Sequence, residues 1–394
     1  MTGNDDEHSA FTWLQKQCLR LVAAARFQTP GGLVFYYPVA RGNSYPWFYL
    51  RDFTYMYESA PEFFPQSEVR PVLAMLLSKI RGDGWAPERI TADGEAIYRC
   101  HGRGDVIDSA PFFVQLFNAY AVASGDFDLP YANLDAFWKM LAVLPHEKET
   151  GLIWIDPENP HTGYGFTDQV AKTGRELFCS LLVFEALTTV GEWAAQCGRS
   201  DLREQIDQWR TAIRSNLSLL WADREGMFYA ASEDCRQLDV WGAVYACRLG
   251  VLPSARREAI LHWLAINRNS FEYMGYLRHL PEPQFWQRII PPFETSLLPG
   301  EFQNGPYWST PSGWYAEILE SSTPGAGPAF LCGLVRTFQE IGIWECIGRD
   351  GYRRIADNLS SALLPYGAFK RCLGAKKQTA KQQLHPIAGK LGSG

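Results

Sequence analysis

Three stretches of this 394-residue chain are apolar nearly all the way round a helix: residues 109–124 (SAPFFVQLFNAYAVAS), 176–195 (ELFCSLLVFEALTTVGEWAA) and 240–249 (VWGAVYACRL). A helix of that texture must be covered on every side. Other segments carry one apolar stripe only. Phe11, Leu14, Cys18, Leu21 and Ala25 make one; Val69, Val72, Leu73, Leu76 and Ile80 a second; Leu134, Phe137 and Leu141 a third; and Leu202, Ile206, Trp209, Ile213, Leu217 and Leu220 a fourth. Further helices fit residues 254–267 and 325–341, and less distinct ones 51–60, 309–320 and 351–363. The two textures alternate six times. Two concentric rings bury both sets, so the periodicity predicts an all-α (α/α)6 double-ring toroid, with short β pieces in the GGLVFYYP and GEAIYRC loops. A solenoid would need repeats that resemble one another, and these do not. Residues 1–372 read as a single domain. After Asp357 no acidic residue follows, while Lys370, Arg371, Lys376, Lys377, Lys381 and Lys390 do. Residues 373–394 therefore read as a basic, disordered tail.

Composition narrows the function. The net charge is −6 with no basic stripe in the body, which argues against a nucleic-acid partner. The nine cysteines lack a CxxC pair and any metal-ligand spacing, so buried free thiols are expected and neither metal nor cofactor is implied. The longest uncharged run, Ser109–Gly125, is short for a membrane span and is broken by Gln115 and Asn118. The start, MTGNDDEHSAF, is polar and acidic, unlike a signal peptide, and a cytoplasmic location is expected. Fourteen tryptophans are a high share; about half can be read as core filling, and Trp and Tyr commonly wall sugar sites.

The unusual residues gather just ahead of the proposed inner helices. Trp47, Arg51 and Asp52 precede the first, and Asp105 and Asp108 the second. Asp168, Gln169, Lys172 and Glu176 precede the third, and Asp239 and Trp241 stand at the fourth. Glu301, Gln303, Asn304, Trp308 and Trp314 lie at the fifth, and Glu345 ahead of the sixth. In a double ring the inner helices run the same way, so these groups converge on one mouth. Each also has a structural reading. Asp108 before Ser109-Ala110-Pro111 suits a helix N-cap. Arg51 and Asp52 could form an ion pair, Trp308 and Trp314 could be core, and Asp168 could cap or turn the chain.

The segments YLRDFTYM, GYGFTDQVAKTG, QNGPYWSTPSGWY and WECIGRDG resemble the recurring loops of the six-hairpin glycosidase superfamily, over roughly residues 35–365. GFTDQVAKTGRELFCSLL is similar to the Asp-bearing loop of debranching glucosidases and neutral invertases. The Arg-Asp segment is similar to one that holds sugar hydroxyls, and FQNGPYWSTPSGWY to one that lines the sugar pocket. The resemblance implies a carbohydrate substrate. Glu345 holds about the late position of a catalytic base, with Glu301 and Glu294 as competitors.

Cleaving a glycosidic bond takes a proton donor for the leaving oxygen and a carboxylate that activates water or attacks directly. Asp168 stands in the company of Tyr164 and Phe166, which disfavours its charged form and suits a general acid. The expectation is Asp168 as acid and Glu345 as base in an inverting hydrolase. The substrate-binding set is Trp47, Arg51, Asp52, Asp108, Gln169, Glu176, Trp241, Gln303, Asn304, Trp308 and Trp314. Two rivals remain. A sugar epimerase on the same barrel would place facing histidines in the cavity, with His101, His161 and His279 as candidates. A glycan-binding protein would keep the lining without a competent pair. Arg51 and Arg278 are candidate partners for an acidic sugar.

Overall fold

A computed structural model describes residues 2–40, 44–100 and 104–384. Fourteen α-helices occur among them: α1 (Thr2–Ala25), α2 (Leu50–Ser59), α3 (Gln66–Ser78), α4 (Ser109–Ser124), α5 (Asp128–Ala132), α6 (Leu134–Ala142), α7 (Leu177–Gln196), α8 (Ser200–Asn216), α9 (Val240–Leu249), α10 (Ser254–Ile266), α11 (Arg268–Phe271), α12 (Ser312–Ser322), α13 (Ala326–Ile341) and α14 (Leu359–Leu384). Helix neighbours run in a closed circuit, α2 to α4, α7, α9, α12, α14 and back to α2. Around it, α6 and α8 pack on α7, α10 on α9, α13 on α12, and α1 on α13 and α14.

The apolar textures explain this order. Helix α7 is long and apolar enough to cross a membrane. Here α4, α6, α8 and α9 cover it instead. Its start is set by Glu176, whose carboxylate accepts the Cys179 N–H at 2.6 Å, and Asp239 does the same for Gly242 at the start of α9, at 2.8 Å. Lys172 sits between the two caps, fully buried, with its ammonium 2.5 Å from Glu176. Burial pushes Asp239 up to about 6 against the pull of Lys172. The nine cysteines are free thiols, all buried but Cys197.

Two small antiparallel sheets stand beside the starts of the circuit helices. One joins Phe48–Tyr49, Arg89–Ile90 and Ala96–Ile97. The other runs in the order Glu272–Tyr273, Tyr276–Leu277, Tyr307–Trp308, Trp344–Ile347, Arg353–Ala356. The last hairpin corrects the helix expected over 351–363. Residues 353–356 pair with 344–347 around a turn holding Gly351 at φ 89°, and the helix begins only at Leu359. That helix then runs through residues 373–384, the first part of the segment read as tail. Residues 385–394 lie outside the described residues, as does His101.

Candidate active site

Arg51 fixes the floor of the site. It lies in the first turn of α2, buried, and grips Asp108 through Nε (2.6 Å) and Nη2 (3.2 Å). Glu88 stands 3.7 Å away and Asp52 4.0 Å. One guanidinium thus faces three buried carboxyl groups. Asp108 makes no capping bond to α4, contrary to the capping expectation. Its side chain is spent on Arg51 and on the Gly165 N–H, at 2.8 Å. It therefore ties α2 and α4 to the loop that carries Asp168. Glycine is required at 165, because a Cβ there would lie 1.7 Å from the Arg51 guanidinium carbon. Gly165→Ala is expected to break the Arg51–Asp108 pair and cost about 3 kcal/mol or more of stability, measurable by denaturant unfolding; an unchanged midpoint would contradict it.

Above this floor opens a cavity of about 370 Å3, within the size range of small-molecule sites. Trp47, Tyr49, Phe166 and Phe302 give it aromatic walls, and Arg89 and Arg354 supply cations. Arg89 lies over Trp47 (4.9 Å) and Arg354 over Phe302 (3.7 Å). Four carboxyl groups line it: Asp52, Glu88, Asp168 and Glu345. Asp52 accepts from Ser360 at 3.2 Å and is pushed up to about 6 by burial. Burial also raises Glu88, against the pull of Arg51 and Arg89.

Asp168 follows a short 3-10 turn over Gly165–Thr167 and is half-buried. Gln303 Nε2 donates to its Oδ1 at 2.8 Å, and the Cys100 thiol to its Oδ2 at 3.0 Å. Of its aromatic neighbours in sequence, Phe166 lines the cavity. Tyr164 is core, with its hydroxyl 3.0 Å from that of Tyr55. The stronger desolvation falls on Glu345, which is 2% exposed. Tyr45 donates to its Oε1 at 2.9 Å, and Arg354 Nε stands 3.4 Å from Oε2. Burial pushes Glu345 up to about 8, with Arg354 and Tyr45 pulling down.

Of the residues singled out from sequence, Trp47, Arg51, Asp52, Asp168, Gln169, Gln303 and Glu345 meet at this cavity. The others stand outside its lining. Asp108 lies beneath it, holding Arg51. Glu176 caps α7. Trp308 backs the wall, packed on Phe166 (5.6 Å) and Phe302 (5.4 Å). Trp314 is core against Tyr55, Phe178 and Tyr245. Trp241 is fully buried and stacked on His279. Asn304 accepts the Trp286 N–H at 2.8 Å and so shapes a loop. Glu294 is exposed, Glu301 is half-buried, and neither lines the cavity. Arg278 is buried, donating to the carbonyls of Gly305 and Gln284. Among the described residues no histidine lines the cavity. His161 stacks beside Trp85, and His279 is held well below the usual histidine range by burial.

Sequence reading missed Tyr45, Tyr49, Glu88, Arg89, Cys100, Phe302 and Arg354 as lining residues. Tyr45 and Tyr49 flank the Trp47 segment already singled out. Glu88, Arg89 and Cys100 belong to a hairpin treated as loop decoration, and Arg354 lies in the span read as helix.

No protein-family model matches the chain, and no curated protein sequence matches it. Solved structures do. A GH63 mannosylglycerate hydrolase from Thermus thermophilus, solved with glucose, superposes with a TM-score of 0.66 at 13% identity, over 90% of this chain and 99% of that one. A wild-type glycosidase superposes at 0.63 and 15% identity, over 95% and 99%. A rhamnosidase from Klebsiella oxytoca with rhamnose bound gives 0.64 and 13%, over 86% of this chain and 60% of that one. The chain has the fold of these glycosidases. At such identities the likeness concerns fold alone.

Proposed function

We propose that the protein is an inverting glycoside hydrolase, with the closed helix circuit as the inner ring of an (α/α)6 toroid. The observation that carries this reading is one aromatic-walled cavity holding both Asp168 and Glu345. Asp52 and Glu88 are bound up with Arg51 in the floor, which suits them to hold hydroxyls rather than move protons. Asp168 protonates the glycosidic oxygen as its bond to the anomeric carbon breaks. Glu345 takes a proton from the water whose oxygen bonds to that carbon. Glu345 must be ionised to do this, and with burial holding it up to about 8 the step is expected to speed up as pH rises toward that value. Trp47 and Phe302 offer faces for a sugar ring.

The test is a panel of oligosaccharides and aryl glycosides followed by NMR. The first anomer released is expected to be opposite to that of the substrate; a retained anomer excludes inversion. Asp168→Asn is expected to lose at least about 100-fold in kcat/KM on oligosaccharides, and much less on an aryl glycoside whose leaving group needs no proton. Glu345→Gln should lose both equally, and the opposite pattern would exchange the two roles. Sugar binding without turnover would leave a glycan-binding protein, and interconversion without cleavage an epimerase.

A further inference from the structure

Cys100 is the one thiol among the described residues that line the cavity. It follows the hairpin strand Ala96–Ile97 and is 5% exposed. Its sulfur lies 3.0 Å from Asp168 Oδ2, while Gln303 Nε2 lies 2.8 Å from Oδ1. Among the described contacts, Gln303 thus reaches one oxygen of the carboxyl and Cys100 the other, the two coming from separate loops. We propose that Cys100 is a positioning residue for Asp168: its S–H aims the carboxyl and sets how tightly that group keeps its proton. This rests on Asp168 being the proton donor.

The choice of sulfur has a physical rationale. A donor to the ionised form of a carboxyl lowers its proton affinity. A thiol is a weak donor, so it orients Asp168 while leaving it better able to carry a proton than a hydroxyl would. The thiol itself stays protonated, because burial and the adjacent Asp168 both raise it. Among the described residues, the charged groups around the same cavity are Arg51 and Asp52 from α2, Glu88 and Arg89 from the first hairpin, and Glu345 and Arg354 from the last. The hydroxyls of Tyr45 and Tyr49 also face it. All of these are unchanged by substitution at 100, so a graded response there reports on the S–H contact.

The experiment compares pH profiles of kcat/KM for the full-length wild type, Cys100→Ser and Cys100→Ala on an oligosaccharide, whose leaving group needs the proton of Asp168. The limb that Asp168→Asn abolishes belongs to Asp168. That limb is expected at the highest pH in Cys100→Ala, lower in wild type and lowest in Cys100→Ser, in steps of about half a pH unit, with the other limb unmoved. A thiol that only fills space would leave the limb in place, and that result overturns the proposal. A second readout needs no turnover. The infrared S–H band lost in Cys100→Ala should shift with pH in wild type and be displaced and pH-independent in Asp168→Asn. If wild type cleaves no glycoside while the band behaves so, the contact stands and the hydrolase reading falls. A band indifferent to both pH and Asp168→Asn overturns the contact whatever the activity.

Discussion

Glu345→Gln is expected to lower kcat/KM by about 100- to 10,000-fold, the usual share of a general base, and to stabilise the fold at alkaline pH. Its folded-state pKa of about 8 lies above the ordinary 4.5 of an unfolded chain. Between those values the unfolded chain loses the proton and the folded one keeps it, so stability falls as pH rises from about 4.5 to about 8. Glutamine keeps the shape without the charge. The variant should match wild type in acid and exceed it above pH 8 by a margin on the order of 3–5 kcal/mol. Denaturant unfolding at pH 4 and pH 9 checks this. A variant weaker than wild type at pH 9 would mean that Tyr45 and Arg354 compensate the charge more fully than its burial costs. Gained stability with lost turnover would mark Glu345 as a group kept for chemistry at the expense of the fold.

Arg51→Met is the second large effect, in the opposite direction. The guanidinium is buried and serves Asp108, Glu88 and Asp52 together. Removing it leaves three buried carboxyl groups without their shared cation, which should cost about 3–5 kcal/mol near neutral pH. Asp52, at about 6, and Glu88, also raised, take up protons more readily than exposed carboxyls. The loss should therefore shrink toward pH 5, where protonation removes part of the uncompensated charge. Unfolding at pH 5 and pH 8 measures both numbers. A pH-independent loss would assign the defect to packing rather than charge. Arg51→Lys should fall between, since an ammonium keeps the charge but cannot reproduce the two-point grip on Asp108.

The texture of the helices was legible in the chain. Residues 109–124 and 240–249 are helices with the bounds their apolar runs suggest, and 176–195 is displaced by one residue. Burial on all sides is a property of composition and period, so no neighbour need be known to read it. The convergence of Asp168, Gln303 and Glu345 was legible for the same reason: each precedes a helix of the circuit. Sequence could not tell which side chain of a cluster faces inward. Trp308 and Trp314 follow the cavity residues Phe302 and Gln303 in the chain, yet one backs the wall and the other fills the core, as does Trp241 at the start of α9. That choice depends on the rotation of each helix start and on the space its partners leave.

The electrostatics were further from reach. From the letters, Asp108 is a good N-cap, and Asp168 is the carboxyl with aromatic neighbours. In space, Asp108 is claimed by Arg51 across 57 positions of chain, and the driest carboxyl of the cavity is Glu345, paired with Tyr45 across 300. Local sequence sets hydrophobic period, caps and turns, because these act within a few residues. That is enough to require apolar helices stacked inside amphipathic ones, with polar groups gathered at their starts. Proton affinity has no such local origin, because desolvation and charges brought together from distant loops set it. Which groups share the cavity, which hold one another, and which carboxyl is dry enough to keep a proton near neutral pH were therefore settled only when the loops met.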